Sequence, residues 1–256
     1  MKTYNIEDKV AVIVGASSGL GADAARCFAK EGAKLAILAR RKEKLDTLKE
    51  EILNDTDVIA VSCDVTDEES VKEAIKTVID HYGKIDILFN NAGIAVRGGV
   101  HELSLEDWNK SIETNLTGIY LVSKYVVPHM IEKNYGKIIN TSSVNSVIAD
   151  KLDVFIRHGY NASKAGVLGL TKGMAASYAK YNITVNAIGP GLFESEMTAN
   201  TLMKSEEFLK AYNMANPTGR PGKRGELNGS ILFFASDMSS YVTGQFILVD
   251  GGATIV

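Results

Sequence analysis

The chain reads as a single-domain α/β protein built on a doubly wound, seven-stranded parallel sheet, and three observations carry that reading. Short apolar runs alternate along its length with longer segments of helical periodicity, the pattern left by parallel strands joined through helical crossovers. The first of these runs passes through a glycine-rich turn straight into a helical pattern. The 256 residues, 45% of them apolar, are enough to bury one sizeable core.

Taken in order, the aliphatic run Val10–Val14 predicts the first strand, and Ala24, Ala25, Phe28 and Ala29 recur after it with helical spacing. Lys34–Ala39 predicts the second strand, after which the charged run Arg41-Lys42-Glu43-Lys44 starts a helix. Residues 58–63 predict the third. Glu68–Tyr82 follows as an amphipathic helix with Val71, Ile75, Val78 and Ile79 on one side. Residues 85–89, 137–141, 184–187 and Phe246–Val249 complete the sheet. Ligands of such a sheet gather beyond the carboxyl ends of its strands, where Gly15, Ala39, Asp64, Asn90 and Ser143 all fall. No internal repeat, low-complexity tract or linker interrupts the chain.

The turn Gly15-Ala16-Ser17-Ser18-Gly19-Leu20-Gly21 opens a helix whose first amides have no intrahelical partner, an arrangement that receives anions. Glycine at 15, 19 and 21 removes side chains where a pyrophosphate must approach the backbone, and Ser17 and Ser18 add hydroxyl donors. The spacing is Gly-x-x-x-Gly-x-Gly, so it shares the physical logic of the Gly-x-Gly-x-x-Gly dinucleotide fingerprint and not its letters. A helix start that needs glycine only for packing is the alternative.

Tyr160 and Lys164, four residues apart, share one helix face. A free phenol has a pKa near about 10 and is a poor base at neutral pH, whereas an adjacent ammonium stabilises phenolate and brings the group towards working range. Ser143 is placed to hydrogen-bond a substrate oxygen as charge develops on it, and Asn115 to hold a water that links the lysine to solvent. The plainer reading of Tyr160 and Lys164 is a core-facing tyrosine beside a solvated lysine.

From about residue 9 to residue 252, the chain resembles the short-chain dehydrogenase/reductase family. The likeness rests on the glycine turn, Asp64 in Cys63-Asp64-Val65, Asn90-Asn91-Ala92-Gly93, Asn115 in Thr114-Asn115-Leu116, Ser142-Ser143, the Tyr160/Lys164 pair and Pro190-Gly191, in family order. The resemblance implies a Rossmann-type fold and a catalytic tetrad of Asn115, Ser143, Tyr160 and Lys164, with Ser142 a structural neighbour. It further implies that Gly15, Ser17, Ser18, Gly19, Leu20 and Gly21 cradle the dinucleotide. Asp64 and Val65 would meet the adenine and Asn90 would lie near the adenosine ribose. Tyr160 and Lys164 would approach the nicotinamide ribose, while Pro190, Gly191, Phe193 and Ser195 would approach the carboxamide. Family members often carry threonine where this chain has Ser195.

Charge at the end of the second strand bears on the choice of dinucleotide. An acidic residue there would grip the ribose diol of NAD and repel a 2′-phosphate, but Ala39 occupies that place and Arg40 and Arg41 follow it. A guanidinium matches phosphate geometry, so NADP(H) is expected and NAD is the lesser candidate. The alternative is that both arginines merely begin a solvated helix.

The expected reaction interconverts a secondary alcohol and a ketone. Within the family the pattern looks most like gluconate 5-dehydrogenase members, which points to a sugar acid or polyol. Hydroxysteroid dehydrogenases and 3-oxoacyl carrier-protein reductases are alternatives, and a non-catalytic NADP-sensing protein is an alternative of another class. Residues 144–159 carry Asp150, Lys151, Asp153, Arg157 and His158, a polar set suited to a hydroxylated substrate. Arg97 is placed to pair with a substrate carboxylate, although an exposed loop arginine is its more ordinary meaning. Against this, the lid-like stretch 192–216 offers Phe193, Met197, Leu202, Met203, Phe208, Leu209, Tyr212 and Met214 to an apolar substrate or to packing.

The net charge of −3 provides no broad attraction for nucleic acid or an anionic membrane. Cys27 and Cys63 form no Cys-x-x-Cys pair, the amino terminus has no apolar signal centre, and no run approaches membrane-spanning length. A cytoplasmic protein in a reducing compartment is expected. His81, His101, His129 and His158 show no metal-ligand spacing, so no metal is expected, although His158 is close enough to Tyr160 in sequence to reach the cleft. The family resemblance implies a homotetramer or homodimer formed through the Tyr160 helix and its neighbour.

Overall fold

The computed structural model describes residues 4–150, 155–195, 198 and 202–256. Seven parallel strands, β1 (Val10–Val14), β2 (Lys34–Ala39), β3 (Val58–Ser62), β4 (Ile87–Asn90), β5 (Gly136–Thr141), β6 (Ile183–Pro190) and β7 (Phe246–Val249), form one sheet. Their spatial order is β3-β2-β1-β4-β5-β6-β7. The chain winds outward from β1 through β2 to β3 and returns on the far side of β1 as β4. This reversal opens a crevice at the carboxyl ends of β1 and β4.

Alternation along the strands assigns their side chains to two cores. Ala11, Ile13, Leu35, Ile37, Phe89 and Ile139 point to one face, where α1 (Gly19–Lys30), α2 (Lys42–Ile52) and α8 (Asn228–Ala235) cover them. Val12, Val14, Ala36, Leu38, Leu88 and Ile138 point to the other, under α3 (Glu68–Tyr82), α5 (Gly118–Lys133) and α6 (His158–Tyr178). Both faces are buried, which is why these strands read as continuous apolar runs. Burying each such aliphatic side chain contributes about 1.5–3 kcal/mol. Of two further short helices, α4 (Leu105–Ile112) and α7 (Glu206–Ala215), the second brings Phe208 and Tyr212 to the cavity.

The predicted helix over Glu68–Tyr82 is observed with those bounds because both ends are specified locally. Asp67 accepts hydrogen bonds from the Glu69 and Ser70 amides, and Gly83 closes the helix in the left-handed region with φ 70°. Strand ends were less legible. The run predicted at 85–89 is observed at Ile87–Asn90, because Asp86 spends its carboxylate on the Val10 amide at 2.8 Å before the ladder begins. The run predicted at 184–187 extends over Ile183–Pro190. Gly189 and Pro190 look like a loop in sequence, but they lie opposite Leu248 and Val249 of β7. Proline is tolerated there because β6 has run past its last β5 partner, Ile188 opposite Thr141, and is an edge on that side.

Replacing the α3 cap should cost stability without touching the cavity. Asp67→Ala is expected to remove about 1 kcal/mol and lower Tm by about 2–4 °C, with turnover unchanged. Thermal unfolding followed by circular dichroism measures this.

Candidate active site

A cavity of about 640 Å³ runs across the carboxyl ends of the strands, from the glycine turn to the start of α6. At one end it is bounded by Ser17, Ser18, Gly19, Leu20, Arg40 and Arg41, with Asp64 and Val65 on its wall. Gly15 adopts φ +79°, and a Cβ there would lie 2.7 Å from the Ala92 amide nitrogen, so no side chain fits. Ser18 is extended at the N-cap of α1 and makes no side-chain capping bond, leaving the helix start without that internal partner. Its hydroxyl and that of Ser17 instead accept from Arg41 Nη2 at 2.9 and 3.0 Å. The guanidinium thus stands directly over the turn, while Arg40 is exposed at the cavity edge. Asp64 is braced by Thr66, whose amide and hydroxyl donate to Oδ1 at 3.0 and 2.8 Å.

At the other end, β5 and α6 bring Ser143, Tyr160 and Lys164 onto one wall. Lys164 is 3% exposed and its Nζ donates to the Thr141 carbonyl at 2.8 Å. Ser142 lies beside it and donates to the Lys164 carbonyl at 2.8 Å, a structural bond. Ser143 Oγ accepts from the Asn145 amide at 3.1 Å, and its hydroxyl is near enough to the Tyr160 phenol to favour the phenolate. Pro190, Gly191, Phe193 and Ser195 close the cavity above β6.

Electrostatics at this end are governed first by burial. In the protein alone, burial pushes the Tyr160 phenol up from its ordinary value, and the opposing influences are the Ser143 hydroxyl and the Arg157 guanidinium. Burial also brings the Lys164 amine down to about 8. The physical reason is common to both groups: removing a titrating group from water disfavours its charged form, whether phenolate or ammonium. The Lys164 Nζ sits 5.7 Å from the Tyr160 ring centroid, and Arg157 Cζ sits at a similar 5.8 Å.

Asn115 does not line the cavity. It is fully buried in a single π turn, Glu113–Thr117, between α4 and α5. Its side-chain amide is committed on both sides: Oδ1 accepts from the Ile94 amide at 2.8 Å, and Nδ2 donates to the Ile94 carbonyl at 2.9 Å and Ser163 Oγ at 3.0 Å. It therefore ties the 91–95 segment to α6 next to Lys164. Both Nδ2 hydrogens are used in these contacts, and Oδ1 keeps one acceptor position beyond the Ile94 amide. Such π turns recur at functional sites.

Two residues expected at the cofactor, Asn90 and Gly21, do not line the cavity. Asn90 is 2% exposed, and its Nδ2 donates to Asn140 Oδ1 at 2.9 Å inside the sheet. A Cβ at Gly21 would meet the Gly15 carbonyl oxygen at 2.3 Å, so this glycine serves the packing of α1 on the turn. His158 is turned away, with Nδ1 accepting the Val100 amide at 3.0 Å, and Arg97 is exposed outside the cavity. Lys151, Asp153, Met197 and the Leu202 side chain lie outside the described residues.

Sequence reasoning passed over Asn91 and Thr198, both of which line the cavity. Asn91 accepts from Thr141 Oγ1 at 3.4 Å, and Thr198 Oγ1 donates to the Phe193 carbonyl at 2.6 Å. Their signals were present in the Asn-Asn-Ala-Gly motif and in the threonine three residues after Ser195. Among the described residues, no group of three or more His, Cys, Asp or Glu side chains is arranged to hold a metal, and no helix is long and apolar enough to cross a membrane.

A family model described as enoyl-(acyl carrier protein) reductase matches residues 15–254. The chain is also 41% identical over 253 residues to the 3-oxoacyl-[acyl-carrier-protein] reductase FabG of Thermotoga maritima, covering 98% of this chain and 99% of that protein. The chain belongs to the short-chain dehydrogenase/reductase family. It is an oxidoreductase with a nucleotide-binding, Rossmann-type fold. Among other members, it is 36% identical over 256 residues to an NAD-dependent glycerol dehydrogenase of Listeria innocua, covering 99% of this chain and 97% of that one. A gluconate 5-dehydrogenase from Burkholderia cenocepacia, solved in complex with NADP and tartrate, superposes with a TM-score of 0.92 at 36% identity, covering 100% and 98% of the two chains. These short-chain dehydrogenase/reductase relatives differ in both substrate and dinucleotide.

The pKa directions set the expected pH behaviour. Below about 8 Tyr160 is a phenol and Lys164 an ammonium, and raising the pH first removes the Lys164 proton. Alcohol oxidation should rise with pH along a limb centred on the alkaline side, and carbonyl reduction should fall along it. Profiles of kcat/KM in both directions test this, and an oxidation limb centred below about pH 7 would contradict it.

Proposed function

We propose that the protein is an NADP(H)-dependent dehydrogenase that interconverts a secondary alcohol and a ketone on a sugar acid or polyol. The observation that carries the reading is the placement of Ser143, Tyr160 and Lys164 on one wall of a cavity that continues to the glycine turn. The residues fit the dinucleotide: the Gly15 backbone is bare, the Ser18 N-cap is unused, and Arg41 is held by two serine hydroxyls where a phosphate on the adenosine ribose would sit. When bound, the nicotinamide exchanges a hydride with the substrate carbon. The chain supplies the rest. In reduction, Tyr160 Oη gives its proton to the carbonyl oxygen while the Ser143 hydroxyl orients that oxygen. Lys164 Nζ, with a depressed pKa, lies beside the phenol as the next carrier of a proton. Asn115 holds this geometry through Ile94 and Ser163.

Asn145, Asp150 and Arg157 give the substrate end a polar side next to Tyr160, which favours a hydroxylated substrate. Its other side is apolar: Phe155 and Phe208 meet edge to face at 5.0 Å, and Tyr212 follows Phe208. That wall favours the second reading, a 3-oxoacyl carrier-protein reductase or hydroxysteroid dehydrogenase. A non-catalytic NADP sensor would not need the serine, tyrosine and lysine together. The proposal includes a cytoplasmic location, which the free thiols of Cys27 and Cys63 suit, and a homotetramer or homodimer, which the family resemblance implies.

Tyr160→Phe should reduce turnover by about 100-fold or more with NADPH affinity largely retained. An absorbance assay at the nicotinamide band, run over a panel of sugar acids, polyols, acyl thioesters and steroids, measures it, and full activity in the variant refutes the assignment. For the dinucleotide, Arg41→Ala should weaken NADPH by about 10-fold to 100-fold and leave NADH nearly unaffected. Equal losses for both in a fluorescence titration would count against phosphate recognition by this residue.

A further inference from the structure

Arg157 lies immediately before α6, lines the cavity, and has a side chain only 19% exposed. Its guanidinium sits beside the Tyr160 ring, at 5.8 Å from the centroid. Nε donates to the Phe155 carbonyl at 3.0 Å, and Nη2 lies 3.4 Å from Asp150 Oδ2. That separation is longer than the roughly 2.7–2.9 Å of a full charge-assisted bond. Among the described residues, Nη1 has no acceptor. A guanidinium with one edge in use and another turned to a cavity is a half-filled fork, matched in shape by a carboxylate.

The neighbours narrow the ligand further. Asp150 Oδ2 also accepts from Asn145 Nδ2 at 3.0 Å, so an acceptor carboxylate and a side-chain amide stand next to the cation. A simple anion would meet repulsion from Asp150. A ligand that carries hydroxyls beside its carboxylate would donate to Asp150 and accept from Arg157 together. Arg97, the arginine expected from the sequence to take such a group, is exposed outside the cavity.

We infer that Arg157 receives the carboxylate of a hydroxy-acid substrate, with Asp150 and Asn145 taking adjacent hydroxyls, and so determines substrate specificity at the cavity's catalytic end. The inference deepens the proposed function and rests on it for the location of the reacting carbon. It also separates the two substrate readings, because a steroid or an acyl thioester brings no carboxylate to this fork.

The test is calorimetric binding to the NADPH-loaded protein, in which an alcohol cannot turn over. The probes are two matched pairs that differ in carboxylate against hydroxymethyl: D-gluconate with D-glucitol, and tartrate with threitol. Wild-type protein should bind at least one acid about tenfold or more tightly than its neutral partner. Arg157→Leu should remove that preference while leaving the neutral ligand nearly unchanged, and Arg157→Lys should restore part of it. Equal affinity for acid and neutral partner in the wild type overturns the inference without needing any variant. So does an Arg157→Leu protein that weakens both alike, since that is the signature of a residue that only supports Tyr160. Turnover is read separately. Acid-selective binding with no oxidation of either acid by NADP-loaded protein would remove the proposed function and leave the anion site standing, whereas oxidation of neutral polyols without acid preference would do the reverse.

Discussion

The attachment of α6 to the end of β5 is the constraint on which the rest of the site depends. Three side-chain bonds make it: Ser142 Oγ donates to the Lys164 carbonyl, Lys164 Nζ donates to the Thr141 carbonyl, and Asn140 Nδ2 donates to Thr171 Oγ1 at 3.0 Å. Because β5 lies in the interior of a sheet buried on both faces, this clip transmits the rigidity of the core to the helix that carries Tyr160. The phenol then stands one helical turn from the clip, and Ser143 stands one residue beyond it on the strand side. Positions on rigid elements, rather than on loops, hold reacting groups to the tolerance that proton transfer requires.

The same clip sets the chemistry as well as the geometry. Pulling Lys164 out of water weakens its hold on a proton, and shielding Tyr160 strengthens the hold of the phenol, so burial drives both away from the charged state. A lysine with a pKa of about 8 is a proton carrier near neutrality, whereas a solvated one is not. Arg157 biases the phenol in the opposite sense from outside the clip. Substrate-facing and core-facing cations therefore have different duties: one is a fixed charge at the cavity, the other a titrating group beneath it.

Much of this was legible in the sequence where backbone logic governs. Apolar runs bounded by turn residues identified every strand, and the glycine turn was recognisable because bare backbone is needed wherever a chain approaches a phosphate. Legibility fell where tertiary burial decides. The direction in which the Tyr160 phenol moves depends on how deeply folding places it, which no spacing of residues encodes. Asn90, at the end of β4, and Asn115, in the π turn, each carry internal hydrogen bonds that the sequence does not announce, Asn90 to Asn140 and Asn115 to Ile94 and Ser163. Arg157 was visible only as one polar residue among several. Its position over the Tyr160 ring follows from the bend that carries the chain into α6, with Gly98 and Arg157 paired in an isolated bridge.

The central claim is that folding alone depresses the Lys164 amine. Selective 13C labelling of the lysine Cε positions, with the Lys164 resonance assigned by its disappearance in Lys164→Arg, allows that one amine to be titrated by NMR in the ligand-free protein. A midpoint at about 8 is the predicted result. A midpoint near the ordinary lysine value of about 10.4 would show that the amine remains solvated and would contradict the account.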